Sequence, residues 1–410
     1  MPKLQSHPLA ANPAVWTVCP MRFLLAFGQG GLLSPLLPLL RQTFGVSYGE
    51  LGLLTAMPGL SSVVMDVIAA YFLSRRPLLS ILLQGIGLTS IGLVCCALAP
   101  GFYWLVGAQM LIGVGGSMIR MASLTVVVEA TPPAAMGRTS NLLEFSVIAG
   151  MTISPTLSGA MASLFHWRVA FGLSMVFVAT AFTWVLLTRE RLIKAVGATA
   201  TRQNPGVSTT SQPTQVNTES QRQQPQTPAV LIAYLATFVL SFTWAGFIST
   251  ALSLFGGEVV GLPPSTLGVV FTAGLLADLV LLLPMGWLSD RLDYRVVLTP
   301  AMLLMAVTLA WLPEASNFMT LVAVSICLHA GFAAWGMPAA ALALLTRGGE
   351  HLARTMSIYR LLIDAAMVLA PWLIGLLIGQ YGYGLPARLT AVVVLCTAML
   401  VAHGLRTARR

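Results

Sequence analysis

The sequence predicts an all-α membrane protein whose twelve transmembrane helices form two pseudo-symmetric bundles of six. Three observations carry this. Only 9% of the residues are charged and 57% are apolar, against about 25% charged in soluble domains. A chain so poor in charge cannot clothe itself in a water-facing surface, so lipid is its main solvent. The apolar residues come in runs of about 20, the length at which a helix crosses the hydrocarbon core. They do not alternate, which excludes a transmembrane β-barrel. Finally, the two halves repeat. GVSYGELGLL at Gly45–Leu54 is similar to GLPPSTLGVV at Gly261–Val270, an offset of 216 (261 − 45). Without gaps, the same offset carries Arg75 onto Arg291, Arg138 onto Arg354, Pro155 onto Pro371 and Gly159 onto Gly375.

Met1 to Val18 lacks the pattern of a cleavable secretory signal, and the run after it is long enough to be helix 1 itself. The expected spans of helices 1 to 6 are roughly 19–40, 49–72, 77–98, 103–127, 140–163 and 169–188. Those of helices 7 to 12 are roughly 229–254, 265–288, 296–313, 317–344, 355–378 and 386–404. Between the sixth and seventh lies Arg189 to Pro228, rich in Gln, Thr, Ser and Pro. Such a composition cannot bury a core and predicts a flexible cytoplasmic linker. The expected organisation is therefore an N-terminal bundle (1–188), a linker (189–228) and a C-terminal bundle (229–410).

The net charge of +9 does not point to nucleic acid, because the basic residues sit in short loops between apolar runs. With the N-terminus inside, 17 Lys and Arg fall on the cytoplasmic side and 3 outside (Arg41, Arg168, Arg388), with Arg120 and Arg360 inside spans. Discounting the five in the central linker leaves the bias intact. This is the positive-inside pattern, and it predicts a multi-pass protein of a bacterial-type inner (plasma) membrane with both termini cytoplasmic. Cys19, Cys95, Cys96, Cys327 and Cys396 all lie in apolar runs without metal-ligand spacing, and read as small core residues.

Gly286 to Arg295, GWLSDRLDYR, joins two apolar runs. Gly286 allows two helices to approach, Asp290 is placed to accept from helix N-terminal amides, and Arg291 and Arg295 hold the loop on the cytoplasmic side. This loop resembles the G-x-L-x-D-R-x-G-R-R signature of the major facilitator superfamily, with Asp293 where the family has its second glycine; the first copy keeps Arg75–Arg76–Pro77 but has Ser74 for the aspartate. Gly150 to Gly159, GMTISPTLSG, resembles the family's helix 5 motif G-x-x-x-G-P-x-x-G-G, associated with antiporters, and His166–Trp167–Arg168 with Phe171 resembles its G-W-R-x-x-F element. Glu129, Pro132 and Arg138 match family loop positions, whereas Gln109 stands where the family has an arginine on helix 4. The resemblance implies two six-helix bundles related by an axis along the membrane normal, with a small-molecule substrate between them. It also implies a cavity lined by helices 1, 4, 7 and 10, contact between helices 2 and 11 and between helices 5 and 8, and a transporter rather than an enzyme.

Ionisable residues inside spans are costly and mark cavities or partners. Asp66, Arg120, Glu144 and Arg360 sit in the cytoplasmic third. Pairing of Asp66 with Arg360, of Arg120 with Glu144, and of Arg360 with Asp364 one turn on would make a cytoplasmic gate, joined by Asp290 and Arg291 of the loop. A fixed structural network is the competing reading. Asp278 and His329 fall near mid-membrane. Low dielectric disfavours a charged carboxyl, which makes Asp278 the leading proton-coupling candidate and Asp364 the second. Gln29, Trp244, His329 and Trp335 are the candidate substrate contacts, with Gly115, Gly116, Phe242 and Met110 nearby.

No Walker loop, nucleophile constellation or metal spacing occurs in the sequence, so no cofactor is expected and an ion gradient is the energy source. The expectation is a monomeric, alternating-access, proton-coupled exporter of a small apolar compound. Its alternatives are an uptake permease for a small organic acid, with Arg120 as the anion contact, and a non-transporting membrane sensor.

Overall fold

The computed structural model describes residues 13–73, 76–131, 136–202, 227–346 and 351–405. Among them, twelve helices are long and apolar enough to cross a membrane. Helices 1 to 6 are Val15–Phe44, Tyr48–Ile68, Leu78–Ala97, Phe102–Ala130, Asn141–Leu164 and Trp167–Lys194. Helices 7 to 12 are Pro228–Glu258, Pro264–Leu288, Tyr294–Glu314, Phe318–Leu345, Arg354–Tyr381 and Gly384–Gly404. The regular elements among the described residues are all helical. Hydrocarbon offers the backbone no partner, and a helix satisfies its own amides and carbonyls within one segment.

One boundary differs from the sequence expectation. Helical structure continues from helix 6 through Arg202, so the segment expected to be a tether from residue 189 begins as helix. Its first part, Arg189–Glu190–Arg191–Leu192, is built of good helix formers, and polarity alone does not unwind them. Residues 203–226, and Ser74 and Arg75 of the degraded first loop, lie outside the described residues.

Each half has its own apolar core. Val18, Leu36, Leu51, Ile86 and Phe171 belong to the first, and Ala233, Phe255, Leu298, Leu328 and Val394 to the second. The His-Trp-Arg element anchors helix 6 in the first core. Trp167 is buried edge-on against Phe44 and Phe171, and the Arg168 guanidinium donates to the Ala99 carbonyl at 2.8 Å.

The halves meet where helix 2 packs on helix 11 and helix 5 on helix 8. Glycine makes both contacts possible. A methyl added at Gly52 would strike the Pro371 carbonyl, and one at Gly268 the Pro155 carbonyl. Likewise, Gly375 lies against the carbonyl of Tyr48, and Gly159 against that of Pro264. These are the same two contacts made twice: Gly52 maps to Gly268, Pro371 to Pro155, Gly375 to Gly159 and Tyr48 to Pro264 under the 216-residue offset. Bare backbone against backbone is the usual way helices approach closely in lipid.

Helices 1, 7 and 10 are irregular. Helix 1 is regular to Gln29, then passes Gly31 at a φ of 75°, takes a 3₁₀ turn at Ser34–Leu36 and resumes at Leu37. Helix 7 widens to a π-helix over Trp244–Ala251, and helix 10 breaks after Phe332 to restart at Met337. Irregular backbone is tolerated at membrane depth where it is buried in protein or lines a cavity. Gly52→Leu and Gly268→Leu are each expected to push the halves apart. The cost is roughly 1–3 kcal/mol of overpacking, read as a lower melting temperature in detergent, whereas Gly87→Ala, with nothing within 4 Å of the new methyl, leaves it unchanged.

Candidate functional site: a central cavity between the bundles

A cavity of about 380 Å³ lies between the two halves. Helix 1 contributes Arg22, Leu25, Ala26 and Gln29, helix 4 Gln109, Ile112 and Gly116, helix 7 Trp244 and Ile248, and helix 10 His329. Thr55 and Pro58 of helix 2, Met151 and Pro155 of helix 5, and Phe271 and Leu275 of helix 8 complete most of the wall. The lining is mostly apolar with a few polar groups, the usual character of a small-molecule site.

Three of the four expected substrate contacts line this cavity. Gln29 does, and its Nε2 is buried without a hydrogen-bond partner. Trp244 and His329 also line it, ring edge to ring face at 5.6 Å. His329 Nδ1 lies 2.8 Å from the Ser325 carbonyl, which only accepts. The Nδ1 atom therefore carries the proton, and Nε2 is left for a ligand. The fourth, Trp335, is displaced from the wall: it stacks behind Phe332, which stacks on Trp244. The break after Phe332 turns the indole out of helical register. Met110, Gly115 and Phe242 do not line the cavity either, whereas Gly116 does.

Asp278 on helix 8 is 3% exposed, and its Oδ1 has no hydrogen-bond partner. One turn away, Gly274 sits against Ser325 and His329 of helix 10. The Ser325 hydroxyl is likewise buried and unpartnered.

Three of the four charged residues expected near one membrane face, joined by Asp364, form a single cluster. Asp66 accepts from Arg120 Nη2 at 2.9 Å and from the Ser117 hydroxyl. Arg360 of the other half lies 3.6 Å from the same carboxylate, and its Nε is 3.2 Å from Asp364. Arg120 thus takes Asp66 and not Glu144, which is exposed on helix 5. In the loop after helix 8, Arg291 lies over the Trp287 ring at 4.1 Å. The capping of helix 9 falls to Asp293, whose side chain accepts from the Arg295 amide. The side chain of Asp290 lies outside the described residues.

At the opposite end the halves are latched. Glu258, at the end of helix 7, accepts from Arg41 of helix 1 at 2.9 Å, Tyr48 of helix 2 at 2.5 Å and Tyr383 at 3.1 Å. Burial, and then the adjacent Glu258 carboxylate, push the Tyr383 phenol above its ordinary range, so it stays a donor. Below the latch, Ser253 donates to the Ser34 carbonyl and Thr156 to Thr272 at 2.7 Å.

A family model described as the Major Facilitator Superfamily matches residues 18–263 and 227–410. The chain belongs to the Major Facilitator Superfamily. Two relatives in Bacillus subtilis (strain 168) are both uncharacterized MFS-type transporters. YwfA is 23% identical over 90% of this chain and 85% of its own length. YhcA is 26% identical over 40% of this chain, a match that spans only 31% of its own length. Two solved structures share the fold at low identity. A peptide transporter POT in complex with sulfate aligns with a TM-score of 0.72 at 15% identity, covering 98% of each chain. A bacterial homolog of the human lysosomal transporter Spinster, inward-facing and occupied, aligns with a TM-score of 0.65 at 16% identity, covering 98% of this chain and 93% of its own.

Two features of this facilitator escape sequence reasoning. Arg22, one of the 17 charges counted on the cytoplasmic side although it falls inside the expected span 19–40, lies within helix 1 and lines the cavity. The signal was available: Arg22, Ala26 and Gln29 fall on one helix face. An arginine within a membrane helix costs about 2.5–3.5 kcal/mol on insertion scales, so its position calls for a partner. The second feature is the latch, whose two charges and two tyrosines look in sequence like ordinary loop residues. In a cysteine-free background, Glu258→Gln is expected to raise maleimide labelling of a Ser34→Cys reporter from the Arg41 face severalfold.

Proposed function

We propose that this facilitator is a monomeric, proton-coupled antiporter that exports a small, largely apolar compound by alternating access. In this reading it resides in a bacterial-type inner membrane with both termini cytoplasmic. The observation that carries it is the mostly apolar cavity between two halves that are latched at one end. On the Lys and Arg count, the latched end faces out. The four-residue cluster of Asp66, Arg120, Arg360 and Asp364 lies at the inner end and spans the two halves through one ion contact. It acts as the inner gate in this reading. Charge pairs with a second available partner suit a bistable element.

Asp278 is the proton carrier in this scheme. Its unpartnered Oδ1 and lack of a neighbouring cation among the described residues fit a carboxyl that binds and releases a proton as the halves move. Asp364 stands second, because Arg360 already holds it. The organic-acid uptake reading loses the contact first assigned to it, since Arg120 is bound to Asp66.

Liposome flux with an imposed pH gradient tests the reading and separates it from a non-transporting sensor, which moves no solute. Asp278→Asn is expected to abolish proton-driven accumulation while leaving substrate exchange in place; full proton-driven transport by this variant would remove the assignment. Asp66→Asn strands the Arg120 charge and removes the ion contact between the halves, and is expected to raise labelling of the cavity from the inner face. Unchanged labelling and transport would make the cluster structural. In intact cells, loss of an exporter raises internal substrate, and a protonophore mimics that loss.

A further inference from the structure

We infer that the cavity contains an oxyanion subsite at Arg22, so that the compound carried is an amphipathic organic anion with an apolar body and a single carboxylate-like head. This rests on the cavity being the transport site and names the substrate class for it. Arg22, Leu25, Ala26 and Gln29 form one stripe of helix 1 along the wall. Arg22 Nε is shut away from solvent without a hydrogen-bond partner, as is Gln29 Nε2. Both are donors that await an acceptor. At about 1.5 Å of rise per residue they stand roughly 10 Å apart, within the length of one drug-sized molecule.

Arg22 makes no ion pair among the described residues. The charges acting on it from a distance are Glu144 of helix 5, which attracts it, and, more weakly, Arg120 of helix 4, which repels it. Glu144 is exposed, and Arg120 belongs to a cluster in which two acids and two arginines cancel. Among the described lining residues Arg22 is the sole one with a full charge, and none is acidic. A planar guanidinium matches the two oxygens of a carboxylate. A neutral amide offers the guanidinium one carbonyl acceptor and no opposite charge, and a cationic ligand meets like charge. Ile112, Met151, Trp244, Phe271 and Leu275 then receive the apolar body.

Calorimetric titration of the purified full chain with phenylbutyrate, its neutral amide phenylbutyramide and its cationic analogue phenylbutylamine tests this. The acid is expected to bind about tenfold or more tightly than the amide, and the amine more weakly than either. Arg22→Gln brings the acid down to the level of the amide and leaves amide affinity in place, which also reports that the variant is folded. On the unaltered chain, saturating phenylbutyrate, but not the amide, protects Arg22 from phenylglyoxal. Equal affinities for acid and amide, a preference that survives Arg22→Gln, or no protection of Arg22 would each overturn the subsite. Proton-driven flux of acid and amide at equal rates leaves the export reading standing and removes the subsite. Acid-selective binding without any flux does the reverse.

Discussion

A charge in hydrocarbon has to be answered by another charge or by a cavity, and this constraint arranges the molecule. Asp66 answers it for the four-residue cluster at one end. Its carboxylate takes Arg120 from its own half and draws Arg360 from the other, while Asp364 supplies the second negative charge. Glu258 does the same at the far end, with donors from helices 1 and 2 and from the turn before helix 12. Each carboxylate ties together residues that are remote in sequence. Each sits where the halves must part if the protein is to open on that side.

Between these two ends the symmetry of the repeat is broken in a useful way. The packing surfaces are symmetric: glycine meets backbone carbonyl at helices 2 and 11, and again at helices 5 and 8, at equivalent positions. At these four glycines the contact is bare backbone without side chains to interlock, which suits two bodies that rock against one another. The cavity wall is asymmetric. Arg22 and Gln29 come from the first half, and Trp244 and His329 from the second. None of these has its own kind at the repeat-equivalent position, since offset 216 places Phe238, Ala245, Gly28 and Gly113 there. The fold is duplicated while the site is not.

Length and polarity of the apolar runs are properties of the chain itself, because they reflect transfer of each segment from water to lipid. They determined the all-helical membrane class, the twelve spans and the repeat, and the family motifs followed from the same residues. Among the residues lining the cavity, Gln29, Trp244 and His329 were legible because helix depth and helix number together place them at mid-membrane. Trp335 was not: Gly336 and Pro338 signal a break in the helix, but not where the indole comes to lie after it. The partner of Arg120 was not legible either. Asp66 and Glu144 lie at similar depth on neighbouring helices, and depth cannot choose between them.

The sequence by itself determined that this chain lives in lipid as a duplicated six-helix unit, because burying twelve apolar runs and satisfying their backbone admits little else. Tertiary structure alone decided which charges are paired and which is left over. That outcome depends on helix rotation and on close approach at Gly52, Gly159, Gly268 and Gly375. Packing brings Arg120 and Arg360 to carboxylates, whereas Arg22 lines the cavity.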